Sequence, residues 1–331
     1  MKNTTRRRFI GISAALSASA MLPSAFAQTA KTTPTALEPV IWRGTALGAE
    51  AELRLYHPNR AIAENLIQKA LVEVSRLEKV FSVYDDKSQV SQLNRAGLLN
   101  APSADLLAVL SQAKTVNTLT AGAFDPTVQV LWQTYAQHFA KNPHSSVAPN
   151  LQAALNKVGL KYVFLESQRI TFFKRDMAIT LNGIAQGYIT DRVTQLLQNS
   201  GMQHALVNMG ELRHFDKLKQ HTEMAKIQNP RGNGTIPNQH IPLQNKALAT
   251  SGGYGTQFDT AGKFTHLFDP RTGSSTPRYQ SVSVLADTAA MADALSTAFA
   301  VSSEQDIQAA AAKAKAKVWL VMLDGSVKTI G

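Results

Sequence analysis

Apolar residues recur at Ile62, Leu66, Ala70, Val74, Leu77 and Phe81, at steps of four, four, four, three and four. That spacing lays one apolar stripe along a long amphipathic helix. Upstream, the run at about 50–56 alternates apolar and polar residues in AELRLYH and reads as a half-buried strand, preceded by another at 40–46. Ser103 is placed to cap a second helix that carries Leu106, Leu107, Leu110 and Ala113 and ends before Gly122. The Pro/Ser/Asn-rich stretch 141–150 reads as an exposed loop. Strands at 161–165 and 169–173 precede a helix over about 184–199. The second half adds strands at 204–208, 225–228, 263–268, 280–285 and 317–322, and helices at 288–301 and 303–315. Helices and strands mix without a βαβ rhythm, which predicts an α+β fold of mixed sheets with packed helices. No repeat of fixed period is present.

Composition narrows the classes. With 44% hydrophobic and 17% charged residues in 331, the chain has ample core material and is neither a disordered chain nor a coiled coil. It has no cysteine, which excludes a disulfide framework, a thiolate metal site and a Cys nucleophile. Past the first 30 residues no apolar run approaches the roughly 18 needed to cross a bilayer.

The first residues read as an export signal. Thr5-Arg6-Arg7-Arg8-Phe9-Ile10 is followed by a mildly apolar Ala/Ser/Gly stretch and by Ala25-Phe26-Ala27, a small-x-small cleavage pattern. Paired arginines and a weakly hydrophobic segment favour the twin-arginine route, which moves folded proteins to the periplasm, free or at the inner membrane. Residues 1–27 are the expected signal, 28–38 a linker and 39–331 the functional domain, in two lobes. The net charge is +11, from 34 Lys+Arg against 23 Asp+Glu, and losing Lys2, Arg6, Arg7 and Arg8 leaves +7. That excess favours anionic ligands such as phosphates. Without a basic cluster it does not point to nucleic acid.

Several short stretches offer chemistry. Asp293 and Thr297 lie four apart on a predicted helix, with Ser296 beside them, so one face offers hard oxygen ligands of the kind Mg²⁺ takes. A solvated helix face gives the same pattern. Asn182-Gly183-Ile184-Ala185-Gln186-Gly187-Tyr188 opens a helix with two glycines, as a tight turn or a phosphate approach would. In Thr265–Gly273 a histidine, His266, stands just before an Asp-Pro turn, either as a general base or as an ordinary strand residue. None of the eight histidines forms an H-x₃-H pair or Glu-linked zinc motif, and there is no G-x-S-x-G elbow.

Taken in order, FSVYDD…SQLN, AGAFDPTV, NGIAQGYITDRV, ALVNMGE, ATSGGYG…THLFDPRTG and ADALSTA resemble the ApbE family, the FAD:protein FMN transferases. The resemblance runs from about Gly44 to Val301 and implies a T-fold-related α+β domain. It implies binding of FAD with a divalent metal, Mg²⁺, on its diphosphate. It further implies transfer of FMN to a Thr or Ser hydroxyl of an acceptor flavoprotein, such as a membrane redox subunit, with release of AMP. By the same resemblance Asp293, Thr297 and the carbonyl of Gly183 hold the metal, with Ser296 beside them, and His266 is the base. Tyr84 packs on a ring of FAD, and Ala123, Phe124 and Asp125 line the adenosine side. Leu47 stands in GTALGAE, where the family has Met-Gly-Thr. The chain departs from the family pattern at Thr180, in place of Asp, Asn182, in place of Gly, and Gln186, in place of a charged residue. Glu211 stands in place of the second Gly of Val-Asn-x-Gly-Gly. A metal-dependent FAD pyrophosphatase and a non-catalytic flavin carrier are the alternatives.

Overall fold

The computed structural model describes residues 37–331 except 233. The expected signal, 1–27, lies outside the described residues, as does all of the expected linker but Leu37 and Glu38. The alternating run becomes a hairpin: β1 (Val40–Ala46) pairs antiparallel with β2 (Ala49–Leu55), Val40 opposite Leu55. Ala49, Ala51, Leu53 and Leu55 are buried and the residues between them are not, as a period of two requires. Leu47 and Gly48 both have positive φ, which gives the two-residue turn the twist of its strands.

Helix α1 (Arg60–Phe81) starts where Asn59 accepts the N–H of Ile62. Leu66, Ala70, Val74, Leu77 and Phe81 are buried as expected, but Ile62 is exposed and Ala63 takes its place. A step of four overshoots one turn by about 40°, so three such steps rotate Ile62 away from the buried stripe. Helix α2 (Gln89–Ala96), strand β3 (Leu98–Asn100) and helix α3 (Ala104–Leu119) follow, and Ser103 caps α3 through the N–H of Leu106. Next come α4 (Gln129–Lys141), the short α5 (Gln152–Leu155), β4 (Val163–Glu166) and β5 (Arg169–Phe172). A small antiparallel sheet forms in the order β3-β5-β4.

Helix α6 (Ala185–Asn199) leads to β6 (His204–Asn208), β7 (Leu212–Asp216) and the hairpin of β8 (Met224–Gln228) and β9 (Thr235–Pro242). The chain closes with β10 (Ala247–Gly252), β11 (Ser281–Ala286), α7 (Ala289–Phe299), α8 (Glu304–Ala314), β12 (Lys317–Val321) and β13 (Val327–Ile330). Among the described residues eight strands make one antiparallel sheet in the order β1-β2-β6-β7-β10-β11-β12-β13. Helices α1, α6 and α7 pack on one face of it and bury the largest core. On the other face Leu206, Leu212, Leu248 and Trp319 pack with Ala225, Ile227 and Ile241 of the β8–β9 hairpin. A third cluster joins Leu131, Tyr135 and Phe139 of α4 to Phe258, Phe264 and Phe268.

The expected strand at 263–268 is not one. Its ladder contact is a single bridge between Thr265 and Gln257, and Phe264 and Phe268 pack instead against the ring of Tyr135. Burial of large aromatics sets that segment's path together with scattered backbone bonds, such as His266 N–H to the Thr256 carbonyl and Thr265 N–H to the Ser275 carbonyl, which do not form a continuous ladder. The α+β class stands, and the antiparallel sheet explains why no βαβ rhythm was visible.

Candidate functional site

The site is built where α6 crosses α7. Gly187 makes that crossing possible: a Cβ there would lie 2.3 Å from the carbonyl oxygen of Ala289. One turn further along α6, Asp191 accepts the N–H groups of Ala289 and Ala290 and the guanidinium of Arg213. It thereby satisfies two orphan donors at the start of α7 and favours the positive end of its dipole. Two adjacent turns of α6 thus fix both the separation and the start of α7.

On α7, Asp293 is buried and its Oδ2 accepts the Gly187 N–H at 3.0 Å. Ser296 donates to the Asp293 carbonyl at 2.9 Å, and its hydroxyl lies 2.7 Å from Ser251 Oγ on β10. Ser251 Oγ is also 3.3 Å from Thr297 Oγ1. Thr297 in turn fills the space beside Gly183, where a Cβ would come within 2.9 Å of its hydroxyl oxygen. Asp293, Ser296, Thr297, Ser251 and the Gly183 turn therefore belong to one hard-oxygen group. Its donors, a buried carboxylate with hydroxyls and a glycine turn with no room for a side chain, fit Mg²⁺ or Mn²⁺ and not a softer metal. Among the described residues no group of three or more His, Cys, Asp or Glu is arranged to hold an ion. Burial pushes the Asp293 carboxyl up from the usual range, against the Gly187 hydrogen bond that lowers it.

Glu211 joins this group from the β6–β7 turn. It is 8% exposed, its own carbonyl takes the Thr190 hydroxyl at 3.3 Å, and the next residue, Leu212, pairs with Leu248 of β10. Burial, and then the neighbouring charge of Asp293, hold its carboxyl well above the ordinary value. Gln186 lies against Gly210, where a Cβ would meet its amide at 2.7 Å.

The Gly-rich turn gathers further expected residues. The Thr180 N–H donates to the carbonyl of Pro126, and Thr180 Oγ1 accepts the N–H of Asn182. The side chain of Asn182 is hydrogen-bonded to Tyr84, whose ring is 64% exposed and whose hydroxyl burial pushes up. The segments 123–127, 180–183 and Tyr84 are therefore neighbours. Ala123 and Phe124 point into the main core, so that segment offers backbone outward. Asp125 is used internally: its oxygens accept the N–H and hydroxyl of Thr127 and the N–H of Leu160. Leu47 sits at the β1–β2 turn with its N–H on Glu78 of α1 at 2.5 Å.

His266 is half-buried, and burial lowers its pKa, so the ring is neutral at neutral pH. Its Nδ1 lies 3.2 Å from the Thr256 carbonyl, which can only accept. The proton is thereby assigned to Nδ1, and Nε2 keeps its lone pair. Gly255 gives the ring room, a Cβ there falling 3.3 Å from His266 Cε1. Ser251 and Thr256 lie on one short stretch of chain, so the segment that meets the oxygen group also orients the histidine.

Sequence reasoning missed Ser251, Asp191 and Tyr254, whose hydroxyl is buried without a partner among the described residues. Asp191 carried a signal, since it stands four after Gly187 on the same helix face. Ser251 carried none, because its partners come from α7, far along the chain.

The sequence profile described as the ApbE family matches residues 47–321. The chain belongs to the ApbE family. An ApbE-family relative from Haemophilus influenzae, named FAD:protein FMN transferase, is 30% identical over 73% of each chain. One of the same name from Buchnera aphidicola is 28% identical over 78% of each. The crystal structure of the ApbE protein from Thermotoga maritima matches with a TM-score of 0.77 at 26% identity, covering 88% of this chain and 97% of that one. The α+β architecture described above is thus the ApbE fold.

Proposed function

We propose that this protein transfers the FMN half of FAD to a threonine or serine hydroxyl of an acceptor protein and releases AMP. The observation that carries this reading is the oxygen group of Asp293, Ser251, Ser296 and Thr297 beside the Gly183 turn, with a neutral histidine oriented by the same stretch of chain. The names of the ApbE relatives support the flavin and the protein acceptor.

Asp293, Thr297 and the Gly183 carbonyl would hold Mg²⁺, with Ser296 and Ser251 orienting them. When bound, the ion would offset charge on the phosphoryl oxygens. His266 Nε2 takes the proton from the acceptor hydroxyl. That oxygen bonds to the phosphorus of the FMN half, the bond from this phosphorus to the bridging oxygen breaks, and AMP leaves with the bridging oxygen and its electron pair. Tyr84 offers an exposed aromatic face for a flavin or adenine ring, and the backbone at 123–125 lies beside it. Arg6 and Arg7 support export by the twin-arginine route and hence an acceptor in the periplasm.

The test is incubation with FAD, Mg²⁺ and a candidate acceptor, followed by acceptor mass and AMP. Transfer gives one FMN adduct per AMP. AMP without acceptor indicates hydrolysis, and bound FAD with neither product indicates a carrier. His266→Ala is expected to keep FAD affinity and to slow transfer by about 10²–10⁴-fold. Transfer at the wild-type rate would remove His266 from the mechanism.

A further inference from the structure

Glu211 is a buried acid that forms no ion pair with a cation among the described residues. Two elements locate it beside Asp293. On α6, Gln186 lies against Gly210, the residue before Glu211, while the next residue, Gly187, donates to Asp293. One turn later Thr190 donates to the Glu211 carbonyl. On β10, Leu248 pairs with Leu212, the residue after Glu211, while Ser251 on the same strand meets Ser296 and Thr297. Nearby residues of both elements thus hold Glu211 on one side and the α7 oxygens on the other.

Neither carboxylate forms an ion pair with a Lys, Arg or His among the described residues. Two buried acids without a base are costly in isolation, and a chain tolerates them where they share a proton or hold a cation. The surroundings favour the cation. Three hydroxyls and the Gly183 turn meet at the same place, and a pair that only shared a proton would have no use for them.

We propose that Glu211 is a second carboxylate of the α7 cation site, holding the divalent ion with Asp293 before FAD arrives. This rests on the metal reading given under the proposed function. Its content is electrostatic. A single carboxylate with neutral oxygens leaves a divalent ion with one uncompensated charge, which a diphosphate must supply. With Glu211 the protein supplies both negative charges, and the ion is retained without nucleotide.

The measurement is Mn²⁺ binding to the full chain, read from the free-ion electron paramagnetic resonance signal, without and with FAD, beside thermal unfolding in the same buffers. Wild type is expected to bind Mn²⁺ without FAD. Glu211→Gln, which keeps the shape and removes the charge, is expected to weaken that binding by about tenfold or more. Its metal-free unfolding temperature should rise, because a buried like charge is gone, while its gain on adding Mn²⁺ should shrink. Glu211→Gly should weaken binding equally. Wild-type Mn²⁺ affinity in a folded Glu211→Gln overturns the proposal and leaves the acids as a proton-sharing pair. Wild type that binds Mn²⁺ only with FAD also overturns it, and the proposed function survives. Wild type that binds no ion in either condition fails the metal reading itself, and Glu211 with it.

Discussion

Two buried polar groups lie on opposite faces of the same pair of strands, β6 and β7, and they are balanced differently. On the face toward the β8–β9 hairpin, the ring of Tyr56 stacks on His204 at 3.9 Å, His221 stacks on its other side at 4.5 Å, and His214 meets it edge-on. Asp216 there accepts from His221 Nδ1 and from the N–H groups of Leu218, Gln220 and His221, and Tyr56 donates to Glu223. Both acids there have their donors, while Nε2 of His204 and Nε2 of His214 are buried without a partner among the described residues. On the helix-covered face, Asp293 has the backbone donor of Gly187, and Glu211 has Asp293 for a charged neighbour. Burial alone does not distinguish the two. The surplus of acid acceptors over donors does, and it is the feature that the proposed cation would answer.

The largest effect tests that surplus directly. Asp293→Ala is expected to lower metal-dependent AMP release by more than about 10²-fold, with Thr297→Ala milder, since a neutral hydroxyl supplies less charge than a carboxylate. Unchanged AMP release in Asp293→Ala, with metal still required, would move the ion elsewhere.

The next uses pH to probe the histidine group. Burial lowers His204 to about 4 in the fold, and the charges of His214 and His221 add to this, while Asp216 and Glu223 oppose it. Between about pH 6.5 and 4 the unfolded chain therefore binds a proton that the folded chain does not. Stability falls as pH drops through that window, by a few kcal/mol at about 1.4 kcal/mol per unit. Thermal unfolding against pH should show the slope, and His204→Phe should flatten it. A slope that persists undiminished in His204→Phe would place its origin outside the stacked rings.

A geometric break comes third. Gly187→Ala puts a methyl 2.3 Å from backbone, so α6 and α7 must separate, at about 1–3 kcal/mol. Calorimetry should show the lower unfolding temperature, and Mn²⁺ affinity should fall with it because Asp293 loses its N–H donor. The smallest effect is at the rim: Tyr84→Ala should weaken FAD binding by about 1 kcal/mol and spare turnover at saturating FAD. Flavin fluorescence titration reads it, and unchanged affinity would leave the ring outside the FAD contact.

What the sequence made legible follows the range of the physics. Helix α1, the Ser103 cap and the alternation of β2 are local, and each could be read from neighbours in the chain. So could the face shared by Asp293, Ser296 and Thr297, because helical spacing fixes it. Strands β3, β7, β9, β10 and β13 were not expected from the sequence, and in β7 (Leu212–Asp216) buried His214 and Asp216 mask the alternation. The role of Ser251 and the company kept by Glu211 depend on strand order, which no local pattern encodes. Phe264 and Phe268 read as strand residues because large aromatics suit both a sheet and a cluster, and Tyr135 decides between them.

The strand order also has a kinetic consequence. The first hairpin is made of β1 and β2, yet its open edge is closed by β6, with Leu53 beside Val207. Strand β10 then waits for β11, and α7 for both. A two-stranded ribbon is marginal by itself, and the backbone edge of β2 stays unpaired until more than half the chain has been synthesised. Assembly dominated by such distant pairings belongs to the slow end of the folding range. A nascent chain or a fragment ending before His204 therefore presents an unpaired strand edge to its neighbours, and premature termination is expected to yield aggregation-prone pieces in place of a partial domain.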